Sequence, residues 1–153
     1  MASRRRTLVL NGPNLNLLGE REPEIYGRTT LAEIESLCRD AAKRLGLDLD
    51  FRQSNSESEL VGWIQESRGK VAGIVINAAA FTHTSIAILD ALKIAKVPVI
   101  ELHLSNPLRR EPFRRQSFVT EAATGLICGF GPHGYVLALE AMAGLIAVKR
   151  ARR

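Results

Sequence analysis

The chain has 153 residues, 46% of them hydrophobic and 24% charged, with a net charge of +5. That length suits one domain with a substantial core, and the composition excludes a disordered chain. No apolar run approaches the roughly 18 residues needed to span a bilayer, so a membrane protein is not expected.

Thr7-Leu8-Val9-Leu10 reads as a first strand. The long segment Asn11 to Gly27 that follows is rich in Gly, Pro and Asn and carries Arg21 and Tyr26. Connections in compact domains usually run about 4–6 residues, and longer ones tend to be lids or binding loops. A lid with a guanidinium and a phenol can bring a positive charge and a potential base to one ligand. Leu31, Ile34, Leu37, Cys38, Ala41 and Leu45 then recur at helical spacing, with Thr29 or Thr30 as start signal and Gly46 as stop signal. Leu47 to Phe51 alternates as a strand, Ser54 to Ser58 is a polar turn, and Glu59 to Arg68 is a second helix ending at Gly69.

Val71 to Ile76 is continuously apolar, as expected of a strand buried on both faces. Thr82 to Lys96 reads as the third helix, opened by a cluster of Thr and Ser, and Val97 to Leu102 as the fourth strand. Gly125 to Gly129 is a short fifth strand, and Gly134 to Lys149 a long closing helix. Alternating strands and helices predict a flavodoxin-like, doubly wound α/β domain, with a five-stranded parallel sheet of order 2-1-3-4-5 in three αβα layers. The domain is expected to span residues 1–153, with flexible basic tails at about 1–5 and 149–153. Ligands of such sheets bind beyond the carboxyl ends of the strands. There the sequence places Asn11-Gly12-Pro13-Asn14, Asn77 to His83 and Glu101 to Asn106.

At that mouth Glu101 and His103 are two residues apart on a strand and share a face. A carboxylate beside an imidazole fixes its tautomer and favours the protonated ring, which makes a proton donor. Asn14, Asn77 and Ser105 can hold hydroxyls or ordered water, or simply serve turns and caps. His83 precedes a helix, where amide dipoles favour an anion. A metal held by His83, His103 and Glu101 or Asp90 is disfavoured, because neither HxxxH nor HxH spacing occurs. A phenol, with an ordinary pKa near 10, is a poor base at neutral pH unless a cation stabilises its anion. Arg21 and the arginines after the fourth strand offer that cation.

Lys43, Lys70, Lys93, Lys96 and Lys149 all lie on helices or just before a strand, which disfavours a Schiff base. No GxxxxGK[ST] or GxGxxG fingerprint occurs. The terminal arginines read as solvated tails, and with 5% aromatic residues a nucleic-acid stacking platform is not expected. Met1 to Arg6 resembles a secretory leader only in charge, since the apolar segment stops at Leu10. Two cysteines, Cys38 and Cys128, are too few for a disulfide framework; free thiols and a cytoplasmic location are expected. Two other readings stand beside an enzyme. One is a binding module for a small anion; the other is an RNA-binding accessory acting through the basic tails.

Leu10 to Asn16, Gly19 to Gly27, Gln53-Ser54-Asn55, Asn77 to Ser85 and Glu101 to Asn106 together resemble type II 3-dehydroquinate dehydratase over nearly the whole chain. The resemblance implies cofactor-free and metal-free dehydration of 3-dehydroquinate to 3-dehydroshikimate in the shikimate pathway. It implies that Tyr26 is the base, that Arg21 favours its phenolate, and that Asn14 holds a water on the enolate oxygen. His103, oriented by Glu101, would protonate the leaving hydroxyl. Asn77, His83, Leu104, Ser105 and Arg114 would contact substrate, with Arg114 ranked above Arg110. Asp90 would reach a neighbouring site in a homo-oligomer, typically a dodecamer of four trimers. The chain departs from the family pattern at Ala79 and Phe81, where Gly and Tyr are common, and at Ser56, which replaces a frequent His. Ala79 matters if the backbone there needs a positive φ.

Overall fold

The computed structural model describes residues 5–20 and 22–153. Five strands, β1 (Arg6–Asn11), β2 (Asp48–Gln53), β3 (Gly73–Asn77), β4 (Val99–His103) and β5 (Gly125–Cys128), form one sheet. Its order is β2-β1-β3-β4-β5 and every pairing is parallel, in line with the sequence expectation. The helices are α1 (Pro23–Tyr26), α2 (Leu31–Leu45), α3 (Glu57–Glu66), α4 (Ile86–Ala95) and α5 (His133–Ala151). No helix among the described residues is long and apolar enough to cross a membrane.

Strand alternation divides the core into two layers. Val9, Val75 and Ile100 face Ile34 and Cys38 of α2 and Leu139 and Met142 of α5. Leu8, Leu10, Ile74 and Ile76 face Leu60 and Ile64 of α3 and Ile88 and Leu92 of α4. Burial pushes the Cys38 thiol up to about 12, so it packs as a neutral apolar group.

The boundaries have local causes. Thr30 caps α2 through a capping box with Glu33, and Gly46 ends it at φ 67°. Arg5 donates to the carbonyls of Gly46 and Leu45, so it caps the end of α2 instead of lying in a loose tail. At the other end α5 continues through Lys149 and Arg150 to Ala151. Those two cations complement the negative end of the helix dipole, and the basic stretch is helical to that point. The third helix starts later than its cap signals predict. Ala79–His83 form a 3₁₀ turn, and α4 begins only after Ser85, whose hydroxyl accepts the Ile88 N–H. The lid segment is also more ordered than a bare loop, because Leu15 and Leu18 are buried and anchor a 3₁₀ turn at Leu15–Leu17.

Candidate active site

The loops after β1, β3 and β4 meet at the carboxyl end of the sheet. Gly12 permits the first crossing: a Cβ there would stand 2.3 Å from the Ala78 carbonyl oxygen, and the Gly12 N–H donates to the Asn77 carbonyl at 2.8 Å. Asn14 follows in left-handed conformation at φ 67°. Its N–H donates to Asn55 Oδ1 at 2.9 Å, and Gln53 Nε2 donates to the Gly12 carbonyl at 3.2 Å. The Gln53-Ser54-Asn55 segment thus holds the loop that presents Asn14.

Asn77 ends β3 and is 3% exposed. Its Nδ2 donates to the Tyr135 hydroxyl at 3.0 Å, which in turn donates to Asn11 Oδ1 at 2.7 Å. Asn77 Oδ1 accepts the Ala79 N–H at 3.2 Å. Ala79 has φ 51°, so the position does require the left-handed conformation that favours glycine.

Glu101 and His103 lie on the same face of β4, as their spacing predicts. Glu101 is 1% exposed. Its carboxylate accepts from His103 Nε2 at 2.5 Å, from Ser117 Oγ at 2.9 Å and from the Thr120 hydroxyl. Burial pushes the Glu101 carboxyl up, but the bonds from His103 and Thr120, the charge of His103 and the bond from Ser117 outweigh it. The carboxyl is held below its ordinary range. A carboxylate only accepts, so Nε2 of His103 carries a proton and Nδ1 is left for a ligand. His83 is placed similarly: its Nδ1 lies 2.7 Å from the Gln116 carbonyl oxygen, which makes Nδ1 the donor and frees Nε2.

Tyr26 closes α1. Arg110 donates to its hydroxyl at 2.8 Å, stands 5.1 Å from its ring centroid, and also donates to Ser105 Oγ at 3.2 Å. A guanidinium cannot accept, so it stabilises negative charge on the phenol oxygen. The structure therefore seats Arg110, not Arg114, on the phenol. Arg114 lines the same cavity and donates to Glu111 at 2.8 Å. Arg21 lies outside the described residues.

The cavity encloses about 70 Å³ and is lined by Asn14, Tyr26, Asn77, Ala79, His83 and His103, with Leu104, Ser105, Arg110 and Arg114 beside them. Asp90 is exposed on α4 and is not among the described residues that line the cavity. A larger depression of about 1140 Å³ lies at the opposite end of the sheet, lined by Arg68, Lys70, Lys96, Lys149, Arg150 and Arg153. Most of these cations sit at the ends of α3, α4 and α5, where they complement helix dipoles. Among the described residues, no group of three or more His, Cys, Asp or Glu is arranged to hold a metal ion.

Tyr135, Ser117 and Thr120 escaped the sequence reading as site residues. A tyrosine in an otherwise apolar helix was the one available signal, since a buried phenol seeks a polar partner.

A flavodoxin-like sheet with a phenol–guanidinium pair and a carboxylate–imidazole pair in one cleft defines an α/β protein equipped for proton transfer. A family model for class II dehydroquinases matches residues 5–143. A 3-dehydroquinate dehydratase of Methylobacterium radiotolerans is 61% identical over 140 residues, covering 92% of this chain and 94% of its own. A 3-dehydroquinate dehydratase 2 of Pseudomonas aeruginosa is 59% identical over 136 residues, covering 89% and 92%. The crystal structure of a type II dehydroquinase from Propionibacterium acnes superposes with TM-score 0.89 at 44% identity, covering 94% of this chain and 99% of that one. The chain belongs to the class II dehydroquinase family.

Proposed function

We propose that this protein is a 3-dehydroquinate dehydratase that eliminates water through an enolate, with Tyr26 as base and His103 as acid. The observation that carries the reading is the lining of one cavity by both groups, each held by the partner its role requires. Tyr26, as phenolate beside Arg110 and with Arg21 from the same segment, takes the proton from the carbon next to the ketone. The electron pair moves onto the ketone oxygen, and a water held by Asn14 stabilises that oxyanion. The enolate then re-forms the ketone, the new carbon–carbon double bond forms, and the carbon–oxygen bond to the β-hydroxyl breaks. His103, protonated at Nδ1 and paired with Glu101, gives its proton to that hydroxyl, which leaves as water. Separate base and acid groups can act on opposite faces of the substrate, and the elimination proposed here is anti. Proton exchange with solvent returns the proton lost by His103 and removes the one gained by Tyr26.

Asn77, His83, Leu104, Ser105 and Arg114 bind the carboxylate and hydroxyls of the substrate. No lysine is among the described residues that line the cavity, which supports a route without a Schiff base. Asp90 completes the site of an adjoining subunit in a homo-oligomer of four trimers, and the flux belongs to the cytoplasmic shikimate pathway. The cavity of about 70 Å³ is far below the roughly 300 Å³ of small ligand sites, so substrate gains access when α1 swings out. Gly19 at φ 92° and Gly27 at φ 79° flank that segment.

The test follows enone absorbance after 3-dehydroquinate is mixed with wild type, Tyr26→Phe and His103→Ala. Both variants stay folded, and each loses at least about 100-fold in kcat. Near-wild-type turnover by folded Tyr26→Phe removes the base assignment, and no product from wild type removes the reaction.

A further inference from the structure

Glu101 is gripped by more than the imidazole it orients. Ser117 Oγ donates to its Oε2 at 2.9 Å, and the Thr120 hydroxyl donates to Oε1. Ser117 Oγ also accepts the Thr120 N–H at 3.3 Å, which occupies a lone pair and leaves its own proton for the carboxylate. Thr82 Oγ1 stands 2.9 Å from Ser117 Oγ and 3.5 Å from Glu101 Oε2. Ser117 and Thr120 come from a segment 16 and 19 residues beyond Glu101, held in place by its own contacts. Phe118 N–H donates to the Thr82 carbonyl at 2.9 Å, and Val119 is 0% exposed in the core. Neither Ser117 nor Thr120 lines the cavity.

A carboxylate this deeply buried favours taking a proton unless donors replace the water it has lost. A protonated Glu101 would have its own hydrogen to place, and His103 would no longer be bound to keep its proton on Nε2. We propose that Ser117 and Thr120 are positioning residues for the acid half of the reaction. Their hydroxyls keep Glu101 ionised and aimed at Nε2, which leaves Nδ1 of His103 to serve the leaving hydroxyl. This deepens, and rests on, the acid role given to His103 above.

The other titratable groups around the pair are few. Cys128 on β5 is the register partner of His103, and burial together with the charge of Glu101 raises its thiol, so it stays neutral. His83, Tyr26, Arg110 and Arg114 face the same cavity, and none of them bonds to Ser117 or Thr120.

The experiment measures kcat and KM against pH for the full-length assembled protein carrying Ser117→Ala and Thr120→Val together. Losing two donors to the charged form raises the Glu101 carboxyl, so the low-pH limb of kcat should move up by about one pH unit or more. Plateau kcat should fall about tenfold, as when a group that orients a reacting side chain is removed, with KM within about twofold. Ser117→Thr with Thr120→Ser, which keeps both hydroxyls, should restore the wild-type limb. An unmoved limb in the Ala/Val protein overturns the proposal. So does a loss of kcat that the hydroxyl-bearing pair fails to repair. Full turnover by His103→Ala would instead remove the acid role itself. A crystal structure of the Ala/Val protein then decides the clamp. A Glu101 oxygen still 2.5 Å from Nε2 refutes it, and a carboxylate turned away sustains it.

Discussion

Tyr135→Phe removes one oxygen from beneath the site and takes one hydrogen-bond partner from each of two asparagines. The ring is 1% exposed, and its hydroxyl bridges Asn11 Oδ1 at 2.7 Å and Asn77 Nδ2 at 3.0 Å. Burial pushes the phenol well above its ordinary range, so the hydroxyl stays a neutral donor throughout the working pH range. Phenylalanine fills the same ring volume, and packing is unchanged. The cost comes from two buried amide atoms, Asn11 Oδ1 and Asn77 Nδ2, that lose this partner, roughly 1–3 kcal/mol each, offset by about 1 kcal/mol because the hydroxyl no longer has to be buried. The net loss is about 1–5 kcal/mol. For a chain of this size 1 kcal/mol moves Tm by roughly 2–4 °C, so a fall of about 2–20 °C is expected, about 9 °C at the middle of both ranges. Calorimetry at matched protein concentration is the assay, because any self-association would also stabilise the fold. Asn77 also holds the Ala79 N–H beside the cavity, so KM should rise more than kcat falls. A Tm shift under about 2 °C with unchanged KM would refute the view that this bridge holds the mouth of the sheet.

Ala79→Gly should raise stability, since a left-handed alanine costs about 1–2 kcal/mol and the added freedom of unfolded glycine returns about 0.4–1 kcal/mol of that. At φ 51° the expected gain is about 1–3 °C in Tm, read in the same calorimeter, and a lower Tm would count against strain at this position. Acid should weaken the fold through Asp50 and Glu101. The Asp50 carboxyl is lowered from 3.8 by the hydrogen bond from Arg52 against the opposing effect of burial, with the charge of Arg52 and the bond and charge of Arg6 adding to it. The Glu101 carboxyl is lowered from 4.5 by the donors that overcome its burial. Both groups have lower pKa values folded than unfolded. Their contribution is therefore complete above about pH 4.5 and is lost as pH falls through the folded values. Tm should hold level above that point and drop below it, and Asp50→Asn with Glu101→Gln should flatten the drop. An unchanged acid slope in that double variant would remove both carboxylates from the account.

What could be read in the sequence was local. The sheet order follows from the doubly wound topology that alternating strands and helices favour. The alternation itself and the polar strand ends follow from patterns a few residues long. So does the shared face of Glu101 and His103. The start of α4 was harder because Thr82, Thr84 and Ser85 are all capping residues. Tertiary contacts decide among them: the Thr82 hydroxyl turns to Ser117 and Ser85 caps the helix. Arg110 follows one 3₁₀ turn and Arg114 ends the next, where no period predicts which side chain reaches back to Tyr26. Tyr135 meets Asn77 across 58 residues and Asn11 across 124, and no spacing rule carries a contact that far.

The two halves of the site are built differently, and the difference has a consequence for catalysis. Glu101 and His103 sit at the end of an inner strand, 1% and 8% exposed, with every donor to the carboxylate drawn from the folded body. That half exists before substrate arrives. Tyr26 instead rides on the four-residue helix α1 between glycines in left-handed conformation, and Arg110 reaches it from the loop after β4. In the mechanism proposed above, an outward swing of α1 would take the phenol from the guanidinium 2.8 Å away and remove the charge that stabilises its anion. The acid half would then be permanent, whereas the base half would be assembled by closure. Proton abstraction would be confined to the closed site, where water cannot compete for the phenolate or the enolate.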